Sequence, residues 1–257
     1  MRRESFSFSG PLLFDIATSS GDVEILSGDG DQVIVELRGG PAETYVVELQ
    51  GSELTVRPPS KPSGKRRYAS TDIKVYVADN SAGSVRTTSG DLLVVPRLRD
   101  LTFATASGDC RLQTSIAEDL EVKTASGDLK LRDIEGNLTV TTASGDVVAD
   151  DVGADFRFNS ASGDARITAV AGTVEVKTVS GNLSVRSAAG PSVRMRSISG
   201  DARLGIPAGR TVDLDMQTMS GDVTNRIKKA GEATTTARRS LAISMKSVSG
   251  SLRLENA

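Results

Sequence analysis

The chain has 257 residues, of which 38% are hydrophobic and 25% are charged, so its composition is that of a folded protein rather than a disordered one. The formal net charge of −2 at pH 7 excludes an overall basic field that would hold nucleic acid or an anionic membrane. Aromatic residues make up 4%, and Trp and His are absent, which favours a core of small and β-branched side chains in thin layers.

The cysteine content and the start of the chain bear on its compartment. Cys110 is the only cysteine, so no intramolecular disulfide can form, and it occupies a position that other repeats fill with Leu129 or Val147. This predicts a small core hydrophobe rather than a nucleophile. The basic residues at 1–6 have no apolar run behind them, and no stretch approaches about eighteen apolar residues. We therefore expect no secretory signal, no transmembrane segment and a cytoplasmic location, with cell-surface association as the alternative.

The N-terminal region contains one repeat-like unit among irregular strands. The unit Phe-x-Ile-x-Thr-x-Ser-Gly-Asp-Val-x-Ile at 14–25 places apolar or small residues at every second position before and after its glycine. Residues 29–85 break this period but keep apolar segments typical of strands, and residues 58–67 form a turn-rich loop between them. We predict that residues 1–84 form a strand-rich N-terminal cap.

From residue 85 to residue 227 the tripeptide Ser-Gly-Asp, or a close variant, recurs at a regular interval. Successive glycines are separated by 18 or 19 residues up to Gly200 and by 21 at the next step. Each glycine is expected to form a tight corner with a positive φ, which glycine adopts without the steric cost of a Cβ. The predicted structural corner residues are Gly90, Gly108, Gly127, Gly145, Gly163, Gly181, Gly200 and Gly221.

Apolar and small residues alternate around each of these corners. Leu120, Val122 and Thr124 precede Gly127 at every second position, and Leu129 follows it. A period of two is typical of strands that bury one face. Two short strands cannot bury a face alone, so successive coils have to stack on one another. The sequence therefore predicts an all-β fold, a single-stranded β-helix (β-solenoid) with coils of about 18 residues.

The C-terminal region repeats the pattern after an interruption. An insertion at 228–239 precedes a last coil in which Ile243, Met245, Leu252 and Leu254 again alternate. We predict that residues 228–257 are an insertion followed by a terminal coil that caps the C-terminal end. The segments expected to form one continuous domain are 1–84, 85–227 and 228–257.

The repeat-like unit at 14–25, followed by tandem Thr-Ala-Ser-Gly-Asp-Leu-x-Leu units, resembles a bacterial β-strand-repeat family of unknown function called the putative adhesins. The resemblance covers nearly the whole chain. It implies the repeat architecture and, through the family's name, a non-catalytic role in binding at a surface.

The acidic residue that follows each corner glycine is a candidate metal ligand. Hard cations such as calcium bind several carboxylate oxygens, and these residues are expected to stack along one edge. Asp is also a normal corner residue beside Gly, and the Gly-Gly-x-Gly-x-Asp pattern of calcium-binding repeats is absent. We favour a structural role and keep a calcium site as the alternative. The candidate calcium ligands are Asp109, Asp128, Asp146 and Asp164.

Basic residues recur at an outward-facing position before the corner and in the loop of the N-terminal region. They are candidates for contacting an anionic partner such as a phospholipid or a teichoic-type polymer. The alternative is that they are solvated charges that keep the sides of the solenoid from pairing with other sheets. The candidate contact residues are Lys65, Arg66, Arg67, Lys123, Lys177 and Arg196.

The sequence favours a non-catalytic binding or scaffold protein over an enzyme. Its carboxylates repeat along an edge without one distinguished position, whereas general acid–base catalysis needs converging groups. We expect no cofactor and no specific nucleic acid, and the partner is an unknown protein or envelope polymer. A self-associating, polymer-forming scaffold is the first alternative, and a polysaccharide-active β-helix enzyme is the second.

Overall fold

The computed structural model describes residues 1–40, 42–59, 70–227 and 240–257. Within these residues the chain forms twenty-five β-strands and one 3-10 helix. None of the helical structure in these ranges is long and apolar enough to cross a membrane. The chain divides into two compact units, Met1–Arg132 and Asp133–Ala257. This division falls inside the regular repeats, and the three segments expected from the sequence stay a prediction.

The strands of each unit follow one another in chain order. In the first unit they are β1 (Arg2–Ser7), β2 (Leu13–Ala17), β3 (Val23–Ser27), β4 (Gln32–Gly39), the 3-10 helix η1 (Ala42–Thr44), β5 (Val46–Gln50), β6 (Glu53–Arg57), β7 (Thr71–Val77), β8 (Ala82–Arg86), β9 (Leu92–Val94), β10 (Leu101–Ala104), β11 (Cys110–Leu112), β12 (Leu120–Ser126) and β13 (Leu129–Leu131). In the second unit they are β14 (Leu138–Ser144), β15 (Val147–Val152), β16 (Phe156–Ser162), β17 (Ala165–Val170), β18 (Val174–Ser180), β19 (Leu183–Ala188), β20 (Ser192–Arg196), β21 (Ala202–Ile206), β22 (Thr211–Ser220), β23 (Val223–Asn225), β24 (Ser240–Ser249) and β25 (Leu252–Asn256).

Each regular coil contributes one strand to each of two sheets, and we call this pair of strands a rung. The strand before the corner lies in the leading sheet of its unit, and the strand after the corner lies in the trailing sheet. In β12, Leu120, Val122 and Thr124 are buried while Lys123 between them is exposed, as the period of two predicts. The prediction of an all-β, single-stranded β-helix is confirmed.

Side chains of the first unit stack in register along the leading sheet. The parallel pairs β6–β2, β2–β8, β8–β10 and β10–β12 place one core residue of each rung in a common column. The members of this column are Val56, Ile16, Val85, Phe103 and Val122. All five are buried, so the rungs of this unit share one apolar interior.

The N-terminal segment covers an end of this interior. The repeat-like coil β2–β3 pairs directly with β8–β9, while the residues between them in sequence form outer strands. Strands β4 and β1 add antiparallel to the trailing sheet, and β5 adds antiparallel to the leading sheet. At this edge the guanidinium of Arg2 donates to the carbonyl oxygen of Tyr45 at 2.7 Å and pairs with Glu4. These antiparallel strands give the N-terminal region a polar outer edge, and the predicted cap of residues 1–84 stays a prediction.

The second unit is built entirely from parallel pairs. The leading sheet runs β14-β16-β18-β20-β24-β22 and the trailing sheet runs β15-β17-β19-β21-β25-β23. One core residue of each rung again lies in a common column, and its members are Val140, Phe158, Val176, Met195, Met245 and Met216.

The order of the last two rungs differs from their order in the sequence. Strands β24 and β25 lie between β20–β21 and β22–β23, so the predicted terminal coil is an internal rung and its assignment as the C-terminal cap is wrong. The two coils differ in apolar content, because the inward positions that hold Leu252 and Leu254 in β25 hold Val223 and Asn225 in β23. Leu241, Ile243 and Met245 of β24 are buried, whereas Leu214 of β22 is 37% exposed and Val223 of β23 is 48% exposed. The more apolar coil takes the place where both of its faces are covered.

Candidate binding surface

The corner glycines are required by close approach between successive rungs. A Cβ at Gly127 would lie 2.0 Å from the carbonyl oxygen of Gly108, and one at Gly200 would lie 2.1 Å from that of Gly181. Left-handed φ values also occur, such as 144° at Gly163. Gly127 and Gly181 do not have such a φ, so stacking of backbone on backbone, rather than a positive φ alone, excludes side chains from this column.

The aspartates after the corner glycines connect one rung to the next. In the first unit the backbone N–H of Asp109 donates to Oδ1 of Asp91 at 2.9 Å, and the N–H of Asp128 donates to Oδ1 of Asp109 at 2.8 Å. Each carboxylate thus satisfies a backbone donor at the next corner, where the ladder between strands is interrupted. We call this series the Asx ladder.

The Asx ladder continues within the second unit. Oδ1 of Asp146 accepts from the N–H of Asp164, and Oδ1 of Asp164 accepts from the N–H of Asn182, both at 2.9 Å. The amide oxygen of Asn182 in turn accepts a hydrogen bond from the N–H of Asp201 at 2.9 Å, so a neutral side chain can replace the carboxylate as acceptor. Arg166 forms ion pairs with Asp146 and Asp164, which offsets their mutual repulsion.

The geometry of these aspartates gives no further support for a calcium site. Within the described ranges, no group of three or more acidic or cysteine side chains is placed so that it could hold a metal ion. Asp109, Asp146 and Asp164 each place one carboxylate oxygen on a backbone N–H of the next rung. The carboxylates therefore have a structural task, and a calcium site stays a prediction.

Two groups, Cys110 and Asp15, are candidates for a catalytic role. Cys110 is 1% exposed and lies in register with Leu92 and Leu129, which confirms that it is a core residue. Burial, with a smaller contribution from the charge of Asp109, raises the pKa of its thiol to about 12, so the nucleophilic thiolate is not formed at neutral pH.

Asp15 lies in a cluster of ion-pair and hydrogen-bond partners in the first unit. It pairs with Arg57 and Arg86 on the two neighbouring strands and accepts a hydrogen bond from Ser84 at 2.9 Å. Burial acts to raise the pKa of Asp15, but the hydrogen bonds from Arg57 and Ser84 and the charge of Arg86 together hold it below its usual range. A carboxylate held ionised in this way ties three strands together and does not serve as a general acid.

Cations line up on the outer face of the leading sheet in the second unit. Lys177 of β18 lies in register with Arg196 of β20, and Arg196 lies in register with Lys246 of β24. We call these three residues the basic column. Lys177 forms an ion pair with Glu175 at 2.7 Å, which lowers the pKa of Glu175. In the part of the chain that the structure describes, neither Arg196 nor Lys246 has an ion pair.

The remaining predicted contact residues are placed differently. Lys123 belongs to the first unit, where it pairs with Glu121 at 2.6 Å. Lys65, Arg66 and Arg67 lie outside the described residues. Lys246 was not among the predicted contacts, because in sequence Gln217 separates its coil from that of Arg196. The insertion of β24 beside β20 brings the two cations together.

A second column of residues, which the sequence analysis missed, lies beside the basic column. Val179, Ile198, Val248 and Met219 occupy the position just before the Ser-Gly corner, and they are 51%, 55%, 49% and 86% exposed. We call them the aliphatic column. The N–H of Ile198 donates to the carbonyl oxygen of Val179 at 3.2 Å, and that of Ser249 donates to the carbonyl oxygen of Ile198 at 2.9 Å. The register of β22 with β24 places Met219 beside Val248.

The sequence contains a signal for this column. The same position is occupied by alanine in the preceding regular coils, at Ala106, Ala125, Ala143 and Ala161. The change from Ala to larger aliphatic residues begins with Val179, and it occurs directly before a Ser-Gly pair that does not vary among these coils.

An open groove follows the two columns. One stretch is lined by Lys177, Val179, Arg196 and Ile198, and a second by Arg196, Met219, Lys246 and Val248, each together with residues of the hydroxyl row between the columns. The hydroxyls of Thr142, Thr178 and Ser197 in this row are buried and have no hydrogen-bond partner among the described residues. The surface therefore combines cations and exposed aliphatic side chains on one face of the sheet.

Stacked two-strand rungs joined by Ser-Gly-Asp corners define a tandem-repeat β-solenoid. The chain belongs to the Toastrack family, DUF4097, which its sequence matches over residues 14–256. This confirms the resemblance to a bacterial family of unknown function. No curated protein matches the sequence.

Several solved structures are similar to the chain at low sequence identity. A putative adhesin from Bacteroides fragilis is 14% identical with a TM-score of 0.46, and a putative lipid binding protein from Parabacteroides distasonis is 13% identical with a TM-score of 0.37. A putative adhesin from Parabacteroides distasonis is 9% identical with a TM-score of 0.40. Each similarity covers 98% of this chain and 96% of the other.

Proposed function

We propose that the protein is a non-catalytic binding protein that engages an anionic partner through the basic column of its second unit. The proposal rests on the register that places Arg196 beside Lys246 on the outer face of a sheet. Neither cation forms an ion pair with any residue that the structure describes. Neighbouring cations repel one another, and an anionic partner relieves that repulsion. A rigid strand ladder holds the two groups at a fixed spacing, which favours a partner with repeated negative charge.

The non-catalytic part of the proposal is supported by the state of the candidate nucleophile and acid. Cys110 is buried as a neutral thiol, and Asp15 is held ionised between two arginines. An envelope polymer as the partner would require association with the cell surface, the alternative to the cytoplasmic location expected from the sequence.

Binding of the full chain to an anionic polymer such as dextran sulfate tests the proposal. We expect an affinity that falls as the salt concentration rises, because counterions screen the contact. The double variant Arg196→Gln, Lys246→Gln should lower the affinity at least several-fold. Arg186→Gln is the matched control, since Arg186 is an exposed arginine of the trailing sheet in the same unit. Equal losses in the double variant and the control would contradict the proposal.

A second candidate function, self-association, is favoured by one observation. The rung β22–β23 lies at the edge of both sheets of the second unit, and its core-facing Leu214 and Val223 are 37% and 48% exposed. Terminal repeats of solenoids usually present a polar outer face, whereas Leu214 and Val223 leave apolar surface exposed at this edge. Sedimentation velocity over a wide range of protein concentrations tests this function. A single monomeric species at the highest concentration would remove it.

A further inference from the structure

The basic column explains attraction to negative charge, but it does not explain the aliphatic column beside it. Four large aliphatic side chains in adjacent rungs are about half exposed or more. Scattered exposed aliphatic residues are normal on protein surfaces, whereas a contiguous row of them marks an interaction site. A hydrophilic polymer would contact the cations and leave this row in water.

The two columns face the same side of the sheet. Lys177 and Val179 are two residues apart on β18, as are Arg196 and Ile198 in the next rung, so each cation has an aliphatic neighbour roughly 7 Å along the chain. Rungs follow one another at about 4.8 Å, so the three rungs that carry both columns extend over roughly 10 Å, and the aliphatic column alone extends over roughly 15 Å.

This arrangement matches the interface of a lipid bilayer. Lysine and arginine side chains reach phosphate groups at the level of the headgroups, while aliphatic side chains enter the boundary with the acyl chains. The groove is open along its length, so it suits contact with an extended surface rather than enclosure of one small molecule. Cations contribute most where the lipids are anionic.

We infer that the basic and aliphatic columns of the second unit together form a docking surface for bilayers that contain anionic lipids. This inference rests on the proposed function and names the partner of the same surface. The charged groups provide attraction and orientation, and Val179, Ile198, Val248 and Met219 provide apolar contact. An anionic hydrophilic polymer is the competing occupant, and the test separates the two.

Co-sedimentation of the full chain with vesicles provides the test. The probes are vesicles of phosphatidylcholine alone and vesicles in which about a third of the lipid is phosphatidylglycerol. We expect binding to the mixed vesicles and little binding to phosphatidylcholine alone. The double variant Ile198→Thr, Val248→Thr keeps β-branched side chains and should weaken binding to mixed vesicles roughly tenfold. Val148→Thr is the matched control, because Val148 is 43% exposed but lies in the trailing sheet.

Parallel measurements with dextran sulfate separate the inference from the proposed function. If Ile198→Thr, Val248→Thr bound vesicles as tightly as the unaltered chain, while Arg196→Gln, Lys246→Gln lost affinity for the polymer, the inference would be overturned and the proposed function would stand. If the charge variant lost affinity for neither probe, both would fail. Equal binding to vesicles with and without phosphatidylglycerol would also overturn the inference. Thermal melts of each variant establish that it is folded.

Discussion

The carboxylate of Asp109 accepts a hydrogen bond of 2.8 Å from the backbone N–H of Asp128, nineteen residues further along the chain. The same contact recurs from rung to rung on both sides of the division between the units, with aspartate or asparagine as the acceptor. An acidic residue at this corner is therefore explained by a backbone donor that has no strand partner.

We predict that the acceptor, and not the charge, matters at Asp109. Asp109→Asn keeps an oxygen in place, as Asn182 does naturally, and should change the free energy of unfolding by less than about 0.5 kcal/mol. Asp109→Ala leaves the N–H of Asp128 without this acceptor and should cost about 1 kcal/mol. Urea denaturation of the two variants measures the difference. Equal stabilities would show that water replaces the carboxylate without loss.

Close approach at the corners predicts a large effect of adding one methyl group. Gly127→Ala would bring a Cβ to 2.0 Å from the carbonyl oxygen of Gly108 and should destabilise the protein by about 3 kcal/mol. Gly51→Ala is the control, because Gly51 has a φ of 60° but open space around it, and should cost only about 1 kcal/mol. Thermal unfolding of both variants checks the order. A larger loss at Gly51 would mean that φ, rather than stacking, governs these glycines.

Two residues in register on adjacent strands provide a test of the exchanged order of the last rungs. Leu214 of β22 and Ile243 of β24 are register partners, but Ile243 is 2% exposed and Leu214 is 37% exposed. Ile243→Ala should cost about 2–5 kcal/mol, and Leu214→Ala less than about 1 kcal/mol. Denaturation of the two variants provides the measurement. The reverse ranking would place the coils in sequence order.

The thiol of Cys110 should be a reporter of unfolding. Its pKa is raised to about 12 by burial, so a thiol reagent should modify the unfolded chain rapidly and the native chain only when the core opens. Ionisation in the unfolded state begins near pH 9, so this group should lower stability as the pH rises from about 9 towards 12. Cys110→Val should remove that alkaline loss. An unchanged pH profile in the variant would contradict the assignment.

The ion pairs of Asp15 predict that the stability of the protein falls at acidic pH. Because its pKa in the folded protein is lowered, Asp15 stabilises the protein above the pKa of the unfolded chain, and this contribution disappears as the pH falls through the folded pKa. Asp15→Asn should therefore lower the melting temperature at neutral pH and flatten its decrease below about pH 4. Glu53→Gln, an exposed position on the adjacent β6, is the control. Parallel acid profiles in the three proteins would contradict the prediction.

Most of the fold could be predicted from the sequence because of the repeat. Alternation around glycines such as Gly127 predicted strands, corners and stacking, because all three follow from period and spacing. The order of the last rungs was not visible, because parallel coils with equivalent registers can pair in either order. The apolar content of the coils, such as Leu254 in β25 where β23 has Asn225, favours the observed order.

Only part of the candidate surface could be predicted from the sequence. Lys177 and Arg196 follow directly from the period, whereas Lys246 becomes their neighbour only through the exchanged order. The aliphatic column was overlooked because single exposed residues such as Val179 are unremarkable until their neighbours across the rungs are known. The Asx ladder joins residues 18 or 19 apart through side chain and backbone, which no local pattern reveals.

The placement of β24–β25 also has a consequence for biosynthesis. Residues 211–225 leave the ribosome before 240–257, so β22 and β23 are available to pair with β20 and β21 while their native neighbours are still missing. The native order requires that this early pairing be undone when the later coil arrives. A released chain truncated after residue 227 should therefore hold a non-native contact between β20 and β22, which crosslinking between paired cysteines introduced at 194 and 215 would trap.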